Sequence, residues 1–172
     1  MTIYTLLMII VPALIVFFTA FYFFKIYTDL EQKKIAIDLQ QHAKATVLPL
    51  RLQAYERMTL FLERIQPENL LLRLNNPSYT AEQFKNVLIT SIRSEFEHNL
   101  SQQLYISGKG WALTKTAKEE VIKVINLAFG KLQPNASAAE LANNIFEIVV
   151  TYDEFPTLTA LNALKQEIRV LF

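Results

Sequence analysis

IYTLLMIIVPALIVFFTAFYFF, residues 3–24, contains no charged side chain, and its reading decides what kind of molecule this is. A helix of these 22 residues rises about 33 Å, against a hydrocarbon core of about 30 Å. Its fourteen Ile, Leu, Val and Phe residues favour insertion by roughly 4–8 kcal/mol, which outweighs the modest cost of Thr5, Thr19 and Pro12. The stretch from Ile3 to Phe24 therefore reads as a transmembrane helix. Pro12 cannot donate to the carbonyl of Met8, so a kink is expected there. Tyr4, Tyr22 and Tyr27 sit near the two ends, where amphipathic rings prefer the headgroup level.

A cleaved signal peptide would need a basic start, a shorter apolar run and small residues before the cut, and all three are missing. No basic side chain precedes the span, whereas Lys25, Lys33, Lys34 and Lys44 follow it closely. The positive-inside rule then places the N-terminus outside and everything after residue 24 in the cytosol. All seventeen Lys and Arg and all sixteen Asp and Glu lie in that part, which is nearly neutral at +1. Such a balance gives no long-range attraction for nucleic acid. Topology and anionic headgroups account for the lysines beside the span. With no cysteine in the chain, disulfides cannot staple the fold.

Only three glycines occur in 172 residues, and alternating polar and apolar runs are short, so helix is expected nearly everywhere. The expected fold is all-α: a transmembrane anchor over 1–24, a juxtamembrane helical stalk over 25–48, and a cytosolic bundle of about five helices over 49–172. Ile26, Leu30 and Ile37 give the stalk a thin apolar stripe, interrupted by Lys34 and Gln41, which suits partial solvation or a covering partner. Pro49 disfavours helix at Leu48 and should end the stalk.

Beyond it, Leu52, Tyr55, Met58, Thr59, Leu62 and Ile65 recur at helical spacing, with Glu56, Arg57, Glu63 and Arg64 on the other side. The Leu70–Leu74 run fits either a short helix or an extended stretch. TAEQ at residues 80–83 is a capping box, opening a helix whose Phe84, Leu88, Ile92, Phe96, Leu100 and Leu104 recur every four residues on a slowly winding face. ISGKG ends it. Helices are expected from Trp111 to Lys131, from the SAAE capping box at residues 137–140, and from Pro156 to Phe172.

EFEH, residues 95–98, is the sharpest chemical candidate, because Glu-x-x-His on a helix is half of a carboxylate-bridged dimetal site. The other half is absent: His42, in the stalk, is the only other histidine. SGKG at residues 107–110 lacks the spacing of a phosphate loop and follows no strand. There is no cysteine nucleophile and no serine near either histidine in a recognised pattern. No catalytic, cofactor-binding or metal-binding residue is assigned, and a metal-dependent enzyme using Glu95 and His98 is the competing reading.

LRLQAYERMTLFLERIQPENLLLRL around residues 50–74, IRSEFEHNLSQQLYIS at 92–107 and WALTKTAKEEVIK at 111–123 resemble a family of small single-pass membrane proteins of unknown function from Bacteroidota. The resemblance spans roughly residues 45–150. It implies a Gram-negative inner membrane and carries no catalytic residues.

Together these readings point to a single-pass inner-membrane protein whose cytosolic bundle docks other membrane or cytosolic proteins, as an accessory subunit of a larger complex. A self-assembling scaffold is an alternative. Tyr55, Phe61, Trp111, Leu171 and Phe172 are the candidate partner contacts, with the lipid bilayer as the other partner and no nucleic acid expected.

Overall fold

The computed structural model describes the backbone of residues 3–171, and all of their side chains except those of residues 5–7, 43 and 171. The fold is all-α, with six α-helices among the described residues: α1 (Ile3–Ile65), α2 (Pro67–Leu74), α3 (Ala81–His98), α4 (Gly108–Gly130), α5 (Ala138–Val149) and α6 (Pro156–Leu171). A short 3-10 helix, Leu100–Leu104, joins α3 to α4. The chain divides into two units, Met1–Leu48 and Pro49–Phe172.

The first unit is helix throughout its described length. Apart from half-buried Thr28 and Leu48, every described side chain in it is exposed, Lys25, Lys33 and Lys34 included. By length and composition, α1 is a candidate membrane span. The Thr19 hydroxyl is satisfied within the helix, donating to the carbonyls of Ile15 and Val16 at 2.9 Å. Such back-bonding lets a threonine sit in an apolar segment without an orphaned donor.

The expected break at Pro49 does not occur, and α1 continues through both Pro12 and Pro49 to Ile65. Pro49 leaves the Ala45 carbonyl without its helical donor. Ala45 and Pro49 are both exposed, so water can take the place of the missing donor and the helix persists.

In the second unit the core begins with the last four turns of α1. Ala54, Tyr55, Met58, Phe61, Leu62 and Ile65 are buried there, a 3-4-3 spacing that makes one apolar stripe. Each large side chain buried contributes about 1.5–3 kcal/mol, far more than any surface ion pair on the same segment. Apolar packing therefore fixes this stretch, and charges only trim it.

Gln66 ends α1, and Pro67 starts α2, which settles the Leu70–Leu74 run as helix. The capping box at Thr80 and Gln83 forms as expected, and so does the one at Ser137 and Glu140. An antiparallel bridge joins these two caps, with Ala81 N–H donating to Ala136 O at 2.9 Å and Ala138 N–H to Tyr79 O at 3.2 Å. The connection into it turns at Asn135, whose φ of 68° suits asparagine in the left-handed region. Helix α4 packs against α3, α5 and α6, and α3 against α5.

Helix α3 stops earlier than its four-residue repeat suggests. Phe84, Leu88, Ile92 and Phe96 are buried, but Leu100 and Leu104 are exposed. Asn99 ends the helix: its side-chain amide donates to Glu95 O at 2.8 Å and its backbone N–H to Phe96 O at 3.0 Å. Helix α4 starts at Gly108 rather than Trp111, because the Ser107 hydroxyl caps it by accepting from Gly110 N at 2.8 Å.

Candidate functional site

Helices α1 and α3 meet where Phe61 lies against Phe96 (ring centroids 5.6 Å apart) and Arg64 pairs with Glu95. Between them is an open groove of about 370 Å3. Arg57, Leu60, Phe61 and Arg64 line one wall and Ser94, Glu95, His98 and Asn99 the other. The spacings 57, 60, 61, 64 and 94, 95, 98, 99 each trace a single helical face.

The Glu95 carboxylate is held by Arg64 Nε at 3.3 Å and by Arg73 Nη2, from α2, at 3.0 Å. Arg57 lines the same groove as His98 and Asn99, and it makes no ion pair among the described residues. The groove thus also carries a free guanidinium, one helical turn from half-exposed Leu60.

This arrangement revises the metal reading. Glu95 and His98 do line one groove, but the two Glu95 oxygens are directed at arginines. Among the described residues no group of three or more His, Cys, Asp or Glu side chains is placed to hold a metal ion. His42 lies in the first unit and pairs instead with Asp38 at 3.7 Å. Arginines 57 and 64 carry the site, and their sequence signal was their seven-residue spacing across Leu60 and Phe61. It reads equally well as a solvated face.

The candidate contact residues divide differently from expectation. Tyr55 and Phe61 are each 1% exposed, so both belong to the core and offer no docking surface. Trp111 is half-buried and stacks on Phe96 at 5.2 Å, while Lys118 Nζ lies 4.3 Å from the centroid of the Phe96 ring. The side chain of Leu171 and the whole of Phe172 lie outside the described residues.

SGKG is a helix cap. Ser107 donates its hydroxyl hydrogen to Glu167 of α6, so a carboxylate of the chain itself sits by the N-terminus of α4, where negative charge is favoured. Tyr55 donates to the other Glu167 oxygen at 2.9 Å. Burial, and then this hydrogen bond, push the Tyr55 phenol above its ordinary value, with Arg51 opposing. A second buttress links α4 to the α5–α6 connection: Tyr152 donates to Glu120 at 2.7 Å, and Lys123 donates to the same carboxylate at 2.9 Å. These bonds hold the Glu120 carboxyl below the usual carboxylate range, Tyr152 first and Lys123 second.

A model of a protein family, described as a family of unknown function (DUF7935), matches residues 1–171. The chain belongs to that family. The match includes the apolar N-terminal helix as well as the bundle, so the relationship reaches well beyond the stretch around 45–150 where resemblance was first apparent. No curated protein and no solved structure matches the chain.

Proposed function

We propose that this chain is a single-pass protein of a bacterial inner membrane, with its N-terminus in the periplasm and its helical bundle in the cytoplasm. There it serves as a docking or assembly module, an accessory subunit of a larger membrane complex. The observation that carries this reading is the exposed apolar seam that follows the span. Ile26, Leu30, Ile37 and Val47, at spacings of four, seven and ten, are 39–55% exposed on a helix that also carries Lys33, Lys34 and Lys44. A helix of this mixed kind gains most when a partner helix covers its seam. Lys25, Lys33 and Lys34, which follow the span closely, support the orientation.

Purification of the full chain from native membranes in mild detergent, after crosslinking, tests the proposal. Stoichiometric partner proteins are expected, lost when Leu30 and Ile37 are both replaced by Asp. Repeated recovery of the chain with no other protein contradicts it. The competing metal-enzyme reading is separated by metal analysis of the same preparation, where stoichiometric metal that disappears in His98→Ala would favour it.

A further inference from the structure

The α1/α3 groove presents an unpaired guanidinium, Arg57, and half-exposed Leu60 one turn along α1, with His98 and Asn99 among its other lining residues. Glu95 in the same groove is held by Arg64 and, from α2, Arg73. Arg57 supplies a further guanidinium without an acid. The groove's occupant should therefore bring a carboxylate for Arg57 and an apolar side chain for Leu60.

The same chain carries that combination elsewhere. The α5–α6 connection displays Asp153 and Glu154 on its surface, next to Val150, which is 81% exposed. Asp153 makes no ion pair among the described residues, and Glu154 only accepts from Asn162 Nδ2 at 3.0 Å. The connection is also rigidly braced. Tyr152 is tied to Glu120 and packs edge-on against Phe155 at 5.1 Å, Phe155 is itself buried, and the Thr151 hydroxyl donates to Ile148 O at 2.7 Å. The two carboxylates sit between those braces, so presenting them to a partner requires little further ordering.

We propose that the Arg57 groove of one chain receives the Val150–Glu154 turn of a second copy. Asp153 then pairs with Arg57, and Val150 lies on Leu60. Donor and acceptor surfaces are different patches, so the contact is head-to-tail. Such head-to-tail contacts close into a ring only when the rotation from one copy to the next is a whole fraction of a turn. The contact itself is measurable separately from the membrane anchorage proposed above.

The lack of cysteine allows a direct test. Full-length Leu60→Cys and Val150→Cys chains, each in nonionic detergent, are treated with a short bismaleimide alone and as a mixture. Crosslinked dimer is expected in the mixture and not in either single sample, with yield reduced about tenfold in chains that also carry Arg57→Glu, a like-charge clash with Asp153. Adding Asp153→Lys to the Val150→Cys partner of the Arg57→Glu chain should restore the yield. Circular dichroism of each variant establishes that it is folded. No dimer in the mixture, equal dimer in the single samples, or failure of the charge swap to restore it overturns the inference. Those results would leave standing any non-identical partner captured from native membranes, so the two proposals fail separately.

Discussion

Tyr55 on α1 donates its phenolic hydrogen to Glu167 on α6 at 2.9 Å, across 112 residues of sequence. Glu167 also receives the hydroxyl of Ser107, which caps α4. One carboxylate thus ties α1, α4 and α6 together.

Tyr55→Phe removes one donor to Glu167 and should destabilise the bundle by about 1 kcal/mol at pH 7. Because the Tyr55 phenol is raised in the fold, by burial first and by Glu167 second, its contribution is complete below the ordinary phenol value of about 10 and is lost as pH rises through the higher folded value. Urea unfolding followed by the fluorescence of Trp111, the single tryptophan, should show stability falling above about pH 10 in the parent and falling less in Tyr55→Phe. Tyr152, raised by its bond to Glu120, keeps part of the alkaline slope in both.

Glycine at 110 sits close against the side chains of α6. A Cβ there would lie 2.9 Å from Leu164 Cδ2 and 3.1 Å from Glu167 Oε2, whereas at Gly130 it would meet nothing within 4 Å. Glu167 is pinned by Tyr55 and Ser107, so it cannot readily move aside. Overpacking of this kind costs about 1–3 kcal/mol, more than the 0.5–1 kcal/mol by which alanine is favoured over glycine in a helix. Gly110→Ala should therefore lower the midpoint of thermal unfolding, and Gly130→Ala should leave it unchanged or raise it.

Glu120 governs an acid limb. Its carboxyl is lowered by Tyr152 and Lys123, so its contribution is present above the unfolded carboxylate value of about 4.3 and is lost as pH falls through the lower folded value. Glu120→Gln should be less stable than the parent at pH 7, with the difference shrinking toward pH 3. Parallel urea titrations at the two pH values measure it.

The two capping boxes share a backbone bridge, which predicts coupling. Thr80→Ala should cost about 1 kcal/mol. Combined with Ser137→Ala, the total loss should differ from the sum of the single losses, because Ala81 and Ala138 hydrogen-bond across the same junction. Chemical denaturation of the four members of the cycle checks this.

What could be read from the residues was mostly local. Thr80 with Gln83, Ser137 with Glu140 and Pro156 announce helix starts, because caps satisfy backbone donors within three or four residues. Pro49 misled because its effect depends on solvent access to the Ala45 carbonyl, which a linear sequence does not display. The four-residue repeat through Leu104 overran because Asn99 ends α3 with side-chain and backbone bonds that compete with helix. The site was the least legible part. Glu95 and His98 were visible as a motif, but Arg73, which completes the hold on Glu95, comes from another helix. Tyr55 and Phe61 stood as candidate contacts although the core is the default place for rings on an amphipathic helix, and their burial puts both in it.

The account depends most on which side of the membrane the bundle occupies. In a chain without native cysteine, Leu104→Cys places one thiol at a position that is 79% exposed in the bundle. A membrane-impermeant maleimide should fail to label it in intact spheroplasts and should label it once they are lysed. Labelling in intact spheroplasts, equal to that after lysis, would put the bundle outside the cytoplasm and contradict the account.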